Sequence, residues 1–153
     1  MKKKVYIISF IIFIIDLLSK ILVLGIDKTP ITIINNFFYI NKIFNTGAAF
    51  SLFTGNNFIL IIIAIAVLIY IDRKVIDDIK SKISVISISM LIGGIIGNLF
   101  DRIVYGKVID FLSFKFGTYS FPVFNLADTF ICIGIFLLIV DFLRGDLNGN
   151  KSR

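Results

Sequence analysis

The residues of this chain that could do chemistry are few, and most of them fall in one stretch. From Gly93 the sequence reads GGIIGNLFDRIVYGKVIDF and, after a short polar interval, FPVFNLAD. An apolar run carrying Gly93, Gly94 and Gly97 ends in Asn98, Asp101 and Arg102 and leads to Asp110; the next apolar run opens with Asn125 and Asp128. Carboxylates in or beside lipid are costly, and a membrane protein that keeps them usually uses them. Asp110 and Asp128 are therefore expected to face each other across one site. Like charge and desolvation leave two such carboxylates holding a single proton, so that the pair offers a base and an acid together. That suits metal-free amide hydrolysis: one carboxylate takes a proton from water and the other donates to the carbonyl oxygen. Asn98, Asn125, Arg102 and Lys20 are candidate donors to position a substrate backbone.

Composition narrows the alternatives. All ten acidic residues are Asp, and His is absent. This removes Ser-His and Cys-His nucleophile systems and His-ligated zinc. The single cysteine, Cys132, rules out an internal disulfide or a cysteine metal cluster and reads as a small buried hydrophobe. No metal or cofactor is called for. The net charge of +6 does not indicate nucleic acid, because the basic residues fall beside apolar spans, where bilayer topology accounts for them.

The elements that must position these residues are membrane helices. At 58% hydrophobic residues and a mean hydropathy of +0.98, the chain is too apolar for a soluble domain of its size. It reads as one integral membrane domain over 1–153, mainly α. Four transmembrane helices are expected at about 5–24, 57–72, 83–100 and 122–143, with extracytoplasmic segments 25–56 and 101–121 forming a small β-containing cap. The first span has no small-residue cleavage site and is expected to be retained. Within it Asp16 and Lys20 share a helix face, either as an ion pair that makes both charges tolerable or as support for the site.

In the cap, short strands joined near Asn35 and Asn36 are expected, with Phe37, Phe38 and Tyr39 as interfacial aromatics. The alternation Phe114, Phe116, Tyr119, Phe121 suits a strand or an interfacial loop. The stretch Asn45-Thr46-Gly47-Ala48-Ala49-Phe50 permits close backbone approach, and Asn45 could bond a peptide backbone. Gly93 and Gly97 form a helix-packing face. Asn98, Asp101 and Arg102 share another, which predicts an Asp101–Arg102 pair. The charged run 72–82, with Lys80 in it, reads as a solvated loop. Pro122 is placed to open the last span, which would set Asn125 and Asp128 about two turns inside it, roughly 9 Å from its end. Asp141 is expected to pair with Arg144.

Of the sixteen Lys and Arg, ten lie in the N-terminus, the middle loop and the tail that ends in Lys151 and Arg153. Both termini are therefore expected in the cytoplasm, with the polar residues gathered toward the extracytoplasmic face. A small proton- or ion-coupled transport subunit is the alternative, since it too would carry aspartates and a lysine at membrane depth.

Taken together, Asp16-Leu-Leu-Ser-Lys20, Asn45-Thr-Gly-Ala-Ala-Phe50, Gly93-Gly-Ile-Ile-Gly-Asn98-Leu-Phe-Asp101-Arg102, Val108-Ile-Asp110-Phe and Phe124-Asn125-Leu-Ala-Asp128 resemble bacterial lipoprotein signal peptidase, the type II enzyme, along nearly the whole chain. The resemblance implies an intramembrane aspartyl endopeptidase of the bacterial cytoplasmic membrane with Asp110 and Asp128 as its catalytic pair. Asn45, Gly47, Asn98, Arg102 and Asn125 would support site and substrate, and Asp16 and Lys20 match the motif of the first helix. The implied substrate is a prolipoprotein whose lipobox cysteine carries a diacylglyceryl group, cut just before that cysteine. Membrane lipid and inhibitors of the globomycin class are the other implied ligands.

Overall fold

A computed structural model describes residues 1–47, 55–79 and 81–149. Ala48, Ala49 and Phe50 of the small-residue motif, Lys80 of the charged run, and Lys151 and Arg153 of the tail lie outside the described residues.

Among the described residues, four α-helices and four short strands follow in the order α1 (Lys2–Leu24), β1 (Ile31–Ile34), β2 (Phe38–Asn45), α2 (Asn57–Tyr70), α3 (Lys82–Tyr105), β3 (Val108–Phe116), β4 (Tyr119–Ser120) and α4 (Leu126–Gly149). Among the described residues, three helical stretches are long and apolar enough to cross a bilayer: Lys2–Leu24, Lys82–Tyr105 and Leu126–Arg144. The apolar α2 has 14 residues, a rise of roughly 21 Å at 1.5 Å per residue, against a hydrocarbon layer of about 30 Å.

α3 is the central helix and packs along both α1 and α4. Glycines make the approach possible. A Cβ on Gly93 would lie 2.7 Å from the Ser9 carbonyl oxygen and from Ile12 on α1, and one on Gly94 would lie 2.6 Å from the Ala127 carbonyl oxygen on α4. Gly97 faces Asp16 and Ala127. The packing face read from Gly93 and Gly97 is thus the α1–α3 seam, and Gly94 adds a second seam toward α4. An apolar cluster of Val5, Ile71, Ile76, Ile79, Val85, Ile88, Leu91 and Ile92 closes the end where α1 and α3 begin. Large apolar side chains such as Phe10, Leu22, Phe58, Phe136 and Phe142 point outward, as lipid-facing residues do. Cys132 is among the exposed residues of α4. It is not the buried side chain its apolar surroundings in sequence suggested, because an apolar neighbour in a membrane helix can face lipid as readily as a core.

The four strands form an antiparallel sheet in the order β1-β2-β3-β4. The turn between β1 and β2 falls at the expected asparagines, with Asn36 at φ 57°, a left-handed conformation that asparagine tolerates better than most residues. Phe38 stacks on Phe114, and Phe37 meets Phe114 and Phe116 edge to face. A bulge between Ile40 and Ile43 interrupts the β2–β3 register. Lys42 lies in that bulge and donates to the carbonyl oxygens of Ile26 (2.6 Å) and Leu24 (3.3 Å), so the sheet is tied to the last turn of α1, where helix carbonyls lack partners.

Three local expectations are corrected. Pro122 does not open α4: Phe124 instead forms an antiparallel bridge with Leu112, its N–H donating to the Leu112 carbonyl and its own carbonyl accepting from Leu112 and Phe111. Backbone pairing engages Phe124, the helix starts at Leu126, and Asn125 and Asp128 stand at its first turn rather than two turns inside. Asp141 accepts hydrogen bonds from Ser81 (2.5 Å) and Ser84, which lie across the α3–α4 seam, in place of the expected pairing with Arg144. The charged run is not a plain loop either, since Ile71–Val75 continues α2 as a π-helical turn and Ile76–Asp78 forms a 3₁₀ turn.

Candidate active site

The site grows from the N-terminus of α4. Asn125 and Asp128 cap it reciprocally: the Asn125 Oδ1 accepts from the Asp128 N–H at 2.9 Å, and the Asp128 Oδ2 accepts from the Asn125 N–H at 3.2 Å. This is the capping-box arrangement, with Asn and Asp in its two positions. From α1, Asp16 Oδ1 accepts from the Ala127 N–H at 2.8 Å. Two carboxylates thus meet the positive end of one helix dipole. Asp128 is half-buried and Asp16 fully buried.

Asp110 is brought to the same place by β3. Its carboxylate is almost fully buried and held on both oxygens: Asn125 Nδ2 donates to Oδ1 at 2.7 Å, and Asn45 Nδ2, from the end of β2, donates to Oδ2 at 2.9 Å. Burial pushes the Asp110 carboxyl up from 3.8 to about 6; the nearby Asp128 charge pushes the same way, while the donors Asn45 and Asn125 and the Lys20 charge act against it.

Asn98 on α3 joins Asp128, Asn125 and Lys20. Its Nδ2 donates to Asp128 Oδ1 at 2.7 Å, and its Oδ1 accepts from Asn125 Nδ2 at 3.0 Å and from Lys20 Nζ at 3.1 Å. An ammonium can only donate. The Asn98 oxygen must therefore face Lys20, which leaves the amide nitrogen for Asp128.

Arg102, half-buried on α3, donates to the carbonyl oxygens of Asn98 (3.3 Å) and Gly47 (3.1 Å). Asn45 Oδ1 accepts the Gly47 N–H at 2.9 Å. Asn45, Gly47 and Arg102 so form a clip that joins the sheet to α3. Asn57, at the start of α2, donates to the Arg102 carbonyl oxygen at 3.0 Å.

The candidate site residues named from the sequence form one connected network: Asp110, Asp128, Asn98 and Asn125 at its centre, Asn45, Gly47 and Arg102 at its rim, and Asp16 and Lys20 behind. The predicted Asp101–Arg102 pair does not form. Asp101 bonds Lys20 instead, at 2.9 Å, and Lys20 also bonds Asp16 at 2.7 Å. Lys20, Asp16 and Asp101 are all buried, and a buried ammonium needs carboxylate partners more than a half-exposed guanidinium does. Asn57 is the participant that sequence reasoning missed, and Asp101, expected only as the partner of Arg102, is bound to Lys20 instead. Helical spacing had already put Asp101 on the face of Asn98, and that was the available signal.

The arrangement can deliver and accept protons at two carboxylates joined through one asparagine, without histidine or a thiol. Beside it, Asn98 and Arg102 form the polar end of a groove of about 200 Å³, otherwise lined by Leu60, Ile63, Ala64, Val67, Ile95 and Ile131.

Comparison with known proteins gives the family. Residues 8–144 match the family model of signal peptidase (SPase) II. The chain is 35% identical to the lipoprotein signal peptidase of Bacillus pumilus over 156 aligned residues, covering 97% of this chain and 96% of that one. It is 31% identical to the lipoprotein signal peptidase of Neisseria meningitidis serogroup C, over 99% and 96% of the two chains. A bacterial membrane enzyme solved by the in meso method at 2.3 Å resolution superposes with a TM-score of 0.86 at 31% identity, over 94% of this chain and 90% of its own. These likenesses set aside the transport reading. The chain belongs to the signal peptidase II family, membrane aspartic peptidases that remove signal peptides from prolipoproteins.

Proposed function

We propose that Asp110 and Asp128 are the catalytic pair and that the chain cuts prolipoproteins just before a diacylglyceryl-modified cysteine. The observation that carries this reading is Asn125, whose side chain donates to Asp110 while its backbone N–H donates to Asp128. One residue thereby holds both carboxylates to a common point.

Asp110, with its carboxyl raised to about 6, starts with the shared proton. Asp128, at the α4 N-terminus and bonded by Asn98 and Asn125, starts with the negative charge. Asp128 takes a proton from water as its oxygen attacks the scissile carbonyl carbon, and Asp110 gives its proton to the carbonyl oxygen. The tetrahedral diol collapses when Asp128 returns its proton to the amide nitrogen and Asp110 takes one from a hydroxyl. The C–N bond breaks, and both carboxyls regain their starting states. Asn45 and Arg102, at the rim, are placed to hold the substrate backbone.

The whole chain, 1–153, acts as one membrane domain with four spans. The second, at about 57–72, is α2 with the first residues of its π-helical continuation. Both termini lie in the cytoplasm and the site lies toward the extracytoplasmic face, as the basic residues argue. The apolar groove ending at Asn98 and Arg102 lets a lipidated substrate keep its acyl chains among lipid while its peptide reaches the carboxylates. Inhibitors of the globomycin class bind at the same place.

The test is cleavage by purified protein in lipid of a precursor with and without its diacylglyceryl group. Cleavage of only the lipidated precursor, ahead of the cysteine and undiminished by chelator, is the expected result. Equal cleavage of both, or loss of activity on chelation, contradicts the reading.

A further inference from the structure

Asp101 has no part in the proton transfers just described, yet it is 1% exposed and joins three elements. One oxygen, Oδ2, accepts two bonds: from the Ile109 backbone N–H at 3.1 Å and from Lys20 Nζ at 2.9 Å. Ile109 directly precedes Asp110 on β3 and is itself fully buried. Lys20, in turn, bonds the Asn98 oxygen at 3.1 Å, and the Asn98 amide nitrogen bonds Asp128 at 2.7 Å. A single carboxylate oxygen on α3 therefore stands one residue from Asp110 along the chain and, through Lys20 and Asn98, three hydrogen bonds from Asp128.

We propose that Asp101 is a positioning residue, whose Oδ2 sets the distance between the two catalytic carboxylates by holding the Ile109 N–H of β3 and the Lys20 ammonium at one point. This rests on the catalytic assignment of Asp110 and Asp128. Two physical requirements support it. The Ile109 N–H is buried and must have an acceptor. The first half of β3 is fixed on one side by β2, where Asp110 pairs with Ile43 and Ile109 with Phe44, and Asp101 supplies the fixed point toward α3. Lys20, meanwhile, orients the Asn98 amide only while its ammonium is held in place, and Asp16 and Asp101 are the carboxylates that hold it. With Asp101 altered, Lys20 can swing toward Asp16, which leaves the Asn98 oxygen only the Asn125 amide donor to fix which of its ends faces Asp128. The effect reaches turnover rather than substrate capture, because Asp101 does not line the groove.

The experiment compares Asp101→Asn with the parent enzyme on a diacylglyceryl-modified precursor peptide in lipid, with thermal unfolding and the folded fraction measured in parallel. The expected result is a fall in kcat of about ten- to a hundredfold per folded molecule, the size usual when an outer partner of a reactive group is lost, with KM within about threefold. Asp101→Glu keeps the charge but moves the oxygen by a methylene, and should recover part of that loss while remaining below the parent. It also serves if Asp101→Asn does not fold. In a double-mutant cycle with Lys20→Met, the pair should lose less than the sum of the two single losses, because both share the Asn98 arm while the Ile109 contact belongs to Asp101 alone. Parent-like kcat in folded Asp101→Asn or in Asp101→Glu would overturn the proposal, as would fully additive losses in the cycle. Parent-like turnover by folded Asp110→Asn or Asp128→Asn would instead defeat the catalytic assignment beneath it.

Discussion

Asp110 takes its character from its setting: strand backbone, two amide donors and little water. Its raised carboxyl makes a signed prediction. Unfolded, the group loses its proton near 3.8; folded, near 6. Its contribution to stability is thus fully present below 3.8 and is lost as pH rises through 6, because ionising it in place costs energy that ionising it in the unfolded chain does not. Carbon-13 carboxyl spectra of the detergent-solubilised protein should show Asp110 titrating near 6. Asn45→Ala deletes a donor to the ionised form and should move that midpoint up; Asp128→Asn deletes the neighbouring negative charge and should move it down. Shifts of the opposite sign would mean that Asn45 and Asp128 do not face Asp110 as described.

At the level of elements, the site depends on how closely α1, α3 and α4 approach. Gly93 has no room for a side chain, with Ser9 and Ile12 of α1 2.7 Å from where a Cβ would stand. Gly93→Val should therefore force the α1–α3 seam apart and lower stability by about 1–3 kcal/mol, the usual range for overpacking. An unchanged thermal midpoint in detergent would show that the seam yields freely. Much of this architecture was legible in the sequence. Apolar runs marked α1, α3 and the body of α4, Asn35-Asn36 marked the hairpin turn, and unaffordable polar groups marked the site. What stayed hidden were choices made by tertiary partners. Pro122-Val-Phe reads equally well as a helix start or as extended chain, and only the bridge from Leu112 to Phe124 decides it. Asp101 lies near Arg102 on its own helix, but Lys20 comes to it from a helix about eighty residues earlier in the chain, a distance no local spacing rule spans. Ile71–Val75 read as a loop because it is charged, although it continues α2 as a π-helical turn.

For the whole molecule, the site lies at the end of the bundle where α1 finishes and α4 begins, and the charged N-terminal segment lies at the other. The proposed placement of both termini in the cytoplasm predicts that tags at either end are protected in intact spheroplasts and that a tag near Asn35 is accessible. Accessible termini would turn the site toward the wrong side for exported precursors. The central claim, that two aspartates act as one acid–base unit, is tested most directly by measuring lipidated-precursor cleavage by Asp110→Asn, Asp128→Asn and the double variant in the folded, membrane-inserted state. Asparagine nearly keeps the size of aspartate but cannot exchange the proton. Each single variant should lose essentially all turnover while still binding precursor, and the double variant should be little worse than either, because the two groups work as a unit. Cleavage at close to the parent rate by either single variant would contradict the account.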